Sequence, residues 1–155
     1  MMQLTFKAKE FDELTTRELY EIARARTEIF LMEQHIVCRD LDGEDHRALH
    51  CFLEAENGTV MAYLRAMCAK EEPDTVQIGR VLSLVHGKGL GKKLMQLSLP
   101  EIRERRPCKR LLLHAQTHAK GFYEKWGFAV TSDEFLEEGV PHVTMELEIP
   151  NDRAD

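Results

Sequence analysis

Cysteine is sparse and scattered in this 155-residue sequence. Cys38, Cys51, Cys68 and Cys108 include no Cys-x-x-Cys pair. That argues against a zinc knot or a dithiol redox motif and points to reduced thiols in a cytoplasmic protein. No apolar run approaches the roughly 18 residues that a membrane span needs. The start, MMQLTFKAKEF, lacks the long apolar stretch of a secretory signal. An excess of positive charge is missing too. With 21 Lys and Arg against 27 Asp and Glu the formal net charge is −6, the wrong sign for a general nucleic-acid binder. There is no repeat and no low-complexity segment. What remains is one globular domain over 1–150, long enough to bury a core without staples, and a polar tail, NDRAD, at 151–155.

Local patterns then give the elements. QLTFKA alternates and reads as a first strand. TTRELYEIARARTEIFLMEQ reads as one helix: Thr15 and Glu18 form a capping box, and Leu19, Ile22, Ala23, Arg26, Ile29 and Phe30 recur at helical spacing. HIVCRDLDGEDHRA is an irregular acidic loop. LHCFLEAENGTVMAYLRAMCA is a hairpin turning at Asn57-Gly58. EEPDT is a turn, VQIGRVLSLV a central fourth strand, and KKLMQLSLPEIRER a helix that Pro100 should kink or divide. KRLLLHA is a fifth strand and HAKGFYEKW a short helix closed by Gly127. FAVTSDEF and VPHVTMELEI are final strands joined at Glu138-Gly139. The order β-α-β-β-β-α-β-α-β-β is α/β in content but lacks the regular alternation of a dinucleotide-binding fold.

The densest signal is VHGKGLGKKL, residues 85–94. A strand running into bare backbone and then a helix leaves first-turn N–H groups unpaired, with the helix dipole behind them. Glycines let a phosphate come close, and Lys88, Lys92 and Lys93 add charge. A solvated basic turn is the plainer reading. The P-loop spacing fails, because Gly87 to Gly91 is one residue too short and Lys93 stands where Ser or Thr should ligate magnesium. The G-x-G-x-x-G fingerprint fails too.

Other constellations are weaker. DLDGEDH places its glycine fourth where a calcium loop needs it sixth. His46/His50 and His114/His118 have helix-like ligand spacing, but their second members fall at strand starts or turns, so no metal site is expected. The acidic residues 40–45 could attract a cationic amine or simply be solvated. Arg65 and Arg80 lie in strands, where a charge needs a partner; they could orient a substrate carboxylate or pair with Glu33 or Asp45.

The glycine stretch resembles the V-x-x-x-x-[QR]-x-x-G-x-[GA] motif of the GNAT N-acetyltransferases. Val81, Gly89 and Gly91 match, while His86 stands where the family has Gln or Arg. Downstream, Gln116, Ala119, Phe122-Tyr123 and Gly127-Phe128 sit at the offsets of a second family pattern, with Gln116 where Asn is common. FLMEQ, LDGEDH, AYLRA, IGRV, HAQTHAKGFYEKWGF and EEGVPHVTM are similar to the ElaA-like branch. The resemblance implies a GNAT fold: a mixed, mostly antiparallel sheet of about seven strands, splayed between strands 4 and 5 and flanked by helices. It implies acetyl-CoA as co-substrate, with the pyrophosphate cradled by His86, Gly87, Lys88, Gly89, Leu90, Gly91 and Lys92. Val81 and Ser83 would pair through their main chain with the pantetheine arm, with Gln116 and Phe122 beside it. Tyr123 takes the place of the general acid that protonates the departing thiolate, and a main-chain N–H near Val81 could polarise the carbonyl. The base is open among Glu33, His114, His142 and water. His86, if it faces the phosphates, would attract them less than Arg does. The acceptor is expected to be a small-molecule or peptide amine, and a homodimer is compatible with the family. A catalytically weak acyl-CoA-binding sensor is the alternative.

Overall fold

The computed structural model describes residues 2–150; the tail expected at 151–155 lies outside the described residues. The hairpin signal forms as read. Gly58 takes a φ of +90° and the Asn57 side chain accepts the Thr59 N–H at 3.0 Å, so β2 (Leu49–Ala55) turns tightly into β3 (Val60–Cys68). On either side lie β1 (Leu4–Glu10), antiparallel to β2, and β4 (Thr75–Ser83), antiparallel to β3. β4 then crosses through α2 (Leu90–Arg105) to β5 (Arg110–Gln116), which runs parallel to it. A parallel pair requires such a crossover. After the short α3 (Lys120–Glu124) come β6 (Ala129–Val130), β7 (Phe135–Glu137) and β8 (Val140–Glu148). The sheet order is β1-β2-β3-β4-β5-β8-β6, with β7 also paired to β8.

Helices cover both faces of this sheet. On one face Leu90, Leu94, Met95 and Ile102 of α2 pack with Tyr123 of α3 onto Cys51, Leu64, Ile78, Leu113 and Ala115. On the other, α1 (Thr16–Arg26) and the π-helical turns that follow it set Ile22, Ala25 and Ile29 against Phe52, Tyr63 and Leu82. Among the described residues eight strands form where about seven are expected, because β6 and β7 stand in place of the single strand read at FAVTSDEF. The turn into β8 keeps its predicted place, with φ +51° at Glu138 and +76° at Gly139. Gly127 closes the third helical segment at φ +97°.

Two helix expectations change. The segment read as one α-helix over 15–34 is α-helical only to Arg26, and Thr27–Glu33 is π-helical. The Gln34 N–H reaches the Ile29 carbonyl at 2.9 Å, five residues back. Leu19, placed on the apolar face by spacing, is 37% exposed, and Glu18 is buried in the first turn. Pro100 does not divide α2, which runs through it to Arg105.

Glu18 explains that exchange. Its carboxylate accepts Lys7 Nζ at 2.8 Å, Lys9 Nζ at 2.8 Å and the Thr15 N–H at 2.9 Å, while Thr15 Oγ1 accepts the Glu18 N–H at 3.0 Å. The capping box therefore also ties α1 to β1. Burial opposes ionisation of Glu18, but the two lysines and the Thr15 N–H outweigh it and lower its pKa to about 2. The ordinary value is near 4.5, so this stabilisation is complete above pH ~4.5 and is lost as pH falls toward 2. Glu18→Gln is expected to cost about 2 kcal/mol at pH 7 and to flatten the acid limb of the stability curve over that window, as read by urea unfolding at stepped pH.

Candidate active site

The site begins with one surplus residue. Arg65 of β3 pairs with Gly79, but Tyr63 pairs with Leu82, so β4 has a residue too many between them. The bulge falls at Arg80, whose φ of +56° is outside the range of ordinary side-chain-bearing residues. β4 and β5 are paired only through Ile78↔Leu113. Beyond that rung β4 runs on to Ser83 and β5 to Gln116 with no ladder between them. The Leu84 N–H bonds the Met61 carbonyl on the β3 side at 2.9 Å. Backbone groups alternate along a strand, so those of Val81 and Ser83 point the other way, toward the gap.

At the open end of the gap, Gly87 and Gly89 hold φ of +76° and +71°, and Gly89 is the N-terminal cap of α2. The first intrahelical bond is Lys93 N–H to Gly89 O at 3.1 Å, so the N–H groups of Leu90, Gly91 and Lys92 precede the ladder. Leu90 is buried and anchors the turn, while His86, Gly87, Lys88 and Lys92 are exposed around it. A Cβ on Gly91 would stand 3.4 Å from Phe122 Cζ and 3.6 Å from Ser83 Oγ, so loop, strand and α3 converge there.

Tyr123 is buried on the α2 face, with its ring edge-on to Phe122 at 5.1 Å and to Phe128 at 6.2 Å. Burial alone raises its hydroxyl to about 12, so it holds its proton at neutral pH. Of the three base candidates, Glu33 stands apart from the two histidines. Glu33, at the end of the π-helical turns, meets His86 Nε2 at 2.9 Å, and both side chains are exposed. Gln116 donates to Gln34 Oε1 at 3.0 Å. His114 and His142 lie together on the face opposite Tyr123 and share one partner that the sequence reading passed over. Glu137 of β7 is 2.8 Å from His114 Nδ1 and 3.6 Å from His142 Nε2. Its hydrogen bond raises the pKa of His114, and in return holds the Glu137 carboxyl below its usual range. Glu137 opens the EEGVPHVTM stretch, but its relation to His114 is not a local pattern, because it exists only through two strand pairings across β8.

The model of the acetyltransferase (GNAT) domain family matches residues 42–149. The chain belongs to the GNAT acetyltransferase family. A UPF0039 protein of Schizosaccharomyces pombe is 36% identical over 152 residues, covering 96% of this chain and 100% of the relative. Protein ElaA of Escherichia coli is 31% identical over 140 residues, 88% of this chain and 92% of its own. The crystal structure of Escherichia coli ElaA superposes with a TM-score of 0.86 at 29% identity, over 94% of this chain and 100% of the other. That of an acyl-CoA N-acyltransferase from Pseudomonas aeruginosa gives 0.81 at 31% identity, over 92% and 98%. The expected GNAT fold, a mixed and mostly antiparallel sheet, is the one observed, and its β4–β5 pair is parallel. Membership places the chain among acyltransferases that use acyl-CoA as co-substrate.

In this GNAT domain the aspartates of the acidic loop, though partly exposed, are already paired with arginines of the chain. Arg26, 1% exposed, bonds Asp40 Oδ2 at 2.8 Å and Asp45 Oδ1 at 2.7 Å. Arg65 reaches Asp42 Oδ1 and Asp45 Oδ1, each at 2.9 Å, so its expected partner Asp45 is correct. Arg80 pairs with Asp40 at 2.8 Å and Asp42 at 3.4 Å, and Glu33 pairs with neither arginine. These commitments also remove the carboxylates from any calcium loop. His50, weighed as a metal ligand with His46, sits beneath the cluster. Its Nε2–H donates to the Asp45 carbonyl at 2.8 Å, and its Nδ1 accepts from Tyr63 Oη at 2.7 Å. Burial lowers the pKa of His50, which suits this neutral tautomer.

Burial works against ionisation of Asp45, and Arg26 and Arg65 more than offset it, so its carboxyl titrates below the usual range. Asp45→Ala leaves two buried guanidiniums short of a partner and is expected to cost about 3–5 kcal/mol. Glu101→Ala removes only a surface partner of Arg105 and should cost under about 1 kcal/mol. Chemical denaturation of the two variants checks the contrast, and equal losses would contradict the assignment.

Proposed function

We propose that the chain transfers an acetyl group from acetyl-CoA directly to a primary amine in the cytoplasm. The observation that carries this reading is the open inner edge of β4 from Gly79 to Ser83, continuous with the glycine loop. An extended amide-bearing arm can add to such an edge as a strand would. Val81 and Ser83 offer main-chain groups at the alternate positions this requires. The pyrophosphate then falls at residues 86–92, where backbone N–H groups, the dipole of α2, Lys88 and Lys92 favour negative charge. Phe122 borders the loop and Gln116 ends the facing strand.

Attack by the amine places negative charge on the thioester oxygen, and a main-chain N–H near Val81 is suited to receive it. Collapse of the adduct expels a thiolate. Tyr123, protonated and withdrawn from water, would supply its proton. The four cysteines are free thiols, in keeping with a reducing compartment.

The test is amine-dependent release of CoA thiol from acetyl-CoA, run against a panel of amines. Turnover with at least one amine is expected. Tight acetyl-CoA binding with no turnover on any amine would favour the sensor reading instead. Tyr123→Phe should lower kcat by about 100-fold while acetyl-CoA affinity, measured by calorimetry, stays within about 2-fold. Undiminished turnover would remove Tyr123 from the reaction.

A further inference from the structure

We propose that His114 is the base that deprotonates the acceptor amine and that Glu137 is its positioning residue. The inference rests on the acetyl-transfer reading above and names the residue that reading leaves open. Four observations carry it. His114 is the first residue of β5 beyond the last rung to β4, Ile78↔Leu113, so it stands at the point where the strands part. Strand alternation turns it away from Leu113 and Ala115, which pack on the α2 face with Tyr123. His114 instead lines a cavity of about 580 Å³ on the opposite face, together with Met67, Gln77, Leu112 and Thr144. Its Nδ1 is 2.8 Å from Glu137 Oε1, which holds the proton on that nitrogen and leaves Nε2 as the ring's acceptor.

Glu33 and His142 are less suited. Glu33 is engaged by His86 at the exposed loop. His142 is 7% exposed, and its Nδ1 is 2.7 Å from the Val140 carbonyl. His114 keeps a third of its side chain open, 33%, and Phe135 meets its ring edge-on at 5.3 Å.

The proton account balances across the sheet. A protonated amine gives one proton to His114 Nε2, and the imidazolium formed is stabilised by Glu137. The nitrogen lone pair then forms the C–N bond and the thioester carbonyl becomes an oxyanion. As the carbonyl reforms, the C–S bond breaks with its electron pair on sulfur. Tyr123 protonates that sulfur from the other face. The second proton leaving nitrogen makes good the one lost by Tyr123, and the first passes from His114 to solvent. Overall an ammonium and a thioester give an amide, a thiol and one proton.

The charged and titratable groups nearest His114 are Glu137 on β7, His142 on β8 and Glu72 in the turn before β4, with Arg80 of β4 acting on Glu137; Glu146 of β8, Glu71 and Lys70 of the same turn, and Glu44 and Arg47 line the same cavity. The Glu137 hydrogen bond is the largest of these effects and raises His114. Removing that carboxylate must therefore lower the pH at which His114 becomes a base.

The experiment measures kcat, KM and the pH profile of CoA release for the full chain, using the best amine from the panel, with thermal unfolding as a check on folding. His114→Gln is expected to lower kcat by about 100-fold with acetyl-CoA affinity unchanged. Its deficit should shrink as pH rises toward the amine's own pKa, near 10. Glu137→Gln should lower kcat by about 10-fold and move the acid limb of kcat/KM to lower pH. As a readout independent of turnover, nitrogen-15 NMR should find the His114 ring protonated at Nδ1 in the parent and its pKa lowered in Glu137→Gln. A His114→Gln variant that folds and keeps its kcat, or an acid limb unmoved in Glu137→Gln, overturns the assignment while acetyl transfer stands. A parent chain that binds acetyl-CoA but acetylates no amine overturns the transferase reading and this one with it.

Discussion

The bulge at Arg80 is the constraint on which the active-site architecture depends. One extra residue in β4 rotates the strand's inner edge away from β5 and ends their pairing at Ile78↔Leu113. The conformation is unfavourable: a positive φ costs a side-chain-bearing residue about 1–2 kcal/mol. Arg80 is held there by its own side chain, which pairs with Asp40 and Asp42. Those aspartates are fixed in turn by Arg26 from α1 and Arg65 from β3. The loop at 40–45 is thus a clasp joining helix, two strands and bulge. Buried ion pairs of this kind are poor sources of net stability, because desolvation cancels much of their attraction. Their directionality is what counts here: planar guanidiniums accept few arrangements of carboxylate oxygens. An apolar loop of the same volume could cover the strand ends but could not hold an arginine at φ +56°.

Because the strands part, one gap opens on both faces of the sheet. Side-chain alternation along β5 does the sorting. Leu113 and Ala115 go to the α2 face, where Tyr123 is buried among apolar groups and keeps its proton. His114 goes to the other face, beside Glu137 and a cavity. Tyr123 and His114 thus lie on opposite faces of the sheet, one among apolar groups and the other beside a carboxylate. On the acetyl-transfer reading, that separation keeps Tyr123 from being quenched by a nearby base, while both groups address atoms lying in the gap.

What was legible in the sequence follows from the range of each interaction. The Thr15/Glu18 capping box, the Asn57-Gly58 hairpin and the Glu138-Gly139 turn depend on residues within three or four positions, and each forms where read. The glycine loop is legible for the same reason. Leu19 fails because helical spacing predicts a stripe but not which lysines lie opposite. Lys7 and Lys9 on β1 draw Glu18 inward and the stripe shifts. The Arg80 bulge is invisible because VQIGRVLSLV reads as unbroken strand, and only its pairing with β3 reveals the surplus residue. The pairing of Glu137 with His114 is invisible because it spans 23 positions and exists only through the register of β7 and β5 on β8.

The π-helical turns make a last connection between these parts. An α-helix continued from Arg26 to Glu33 would advance 100° per residue and keep one face on the sheet. The wider turns, closed by the bond from Gln34 to Ile29, change that phase at the helix end. Two adjacent side chains then diverge to opposite lips of the gap. Glu33 reaches His86 in the loop that leaves β4, and Gln34 reaches Gln116 at the end of β5. His86 replaces the Arg or Gln of the family motif, and in this chain its imidazole faces a carboxylate on the protein. On the acetyl-transfer reading, the charge offered to a pyrophosphate comes chiefly from Lys88, Lys92 and the main chain of the loop. Glu33 meets His86 at one lip and Gln34 meets Gln116 at the other, so a single irregular stretch of helix spans the separation that the bulge creates.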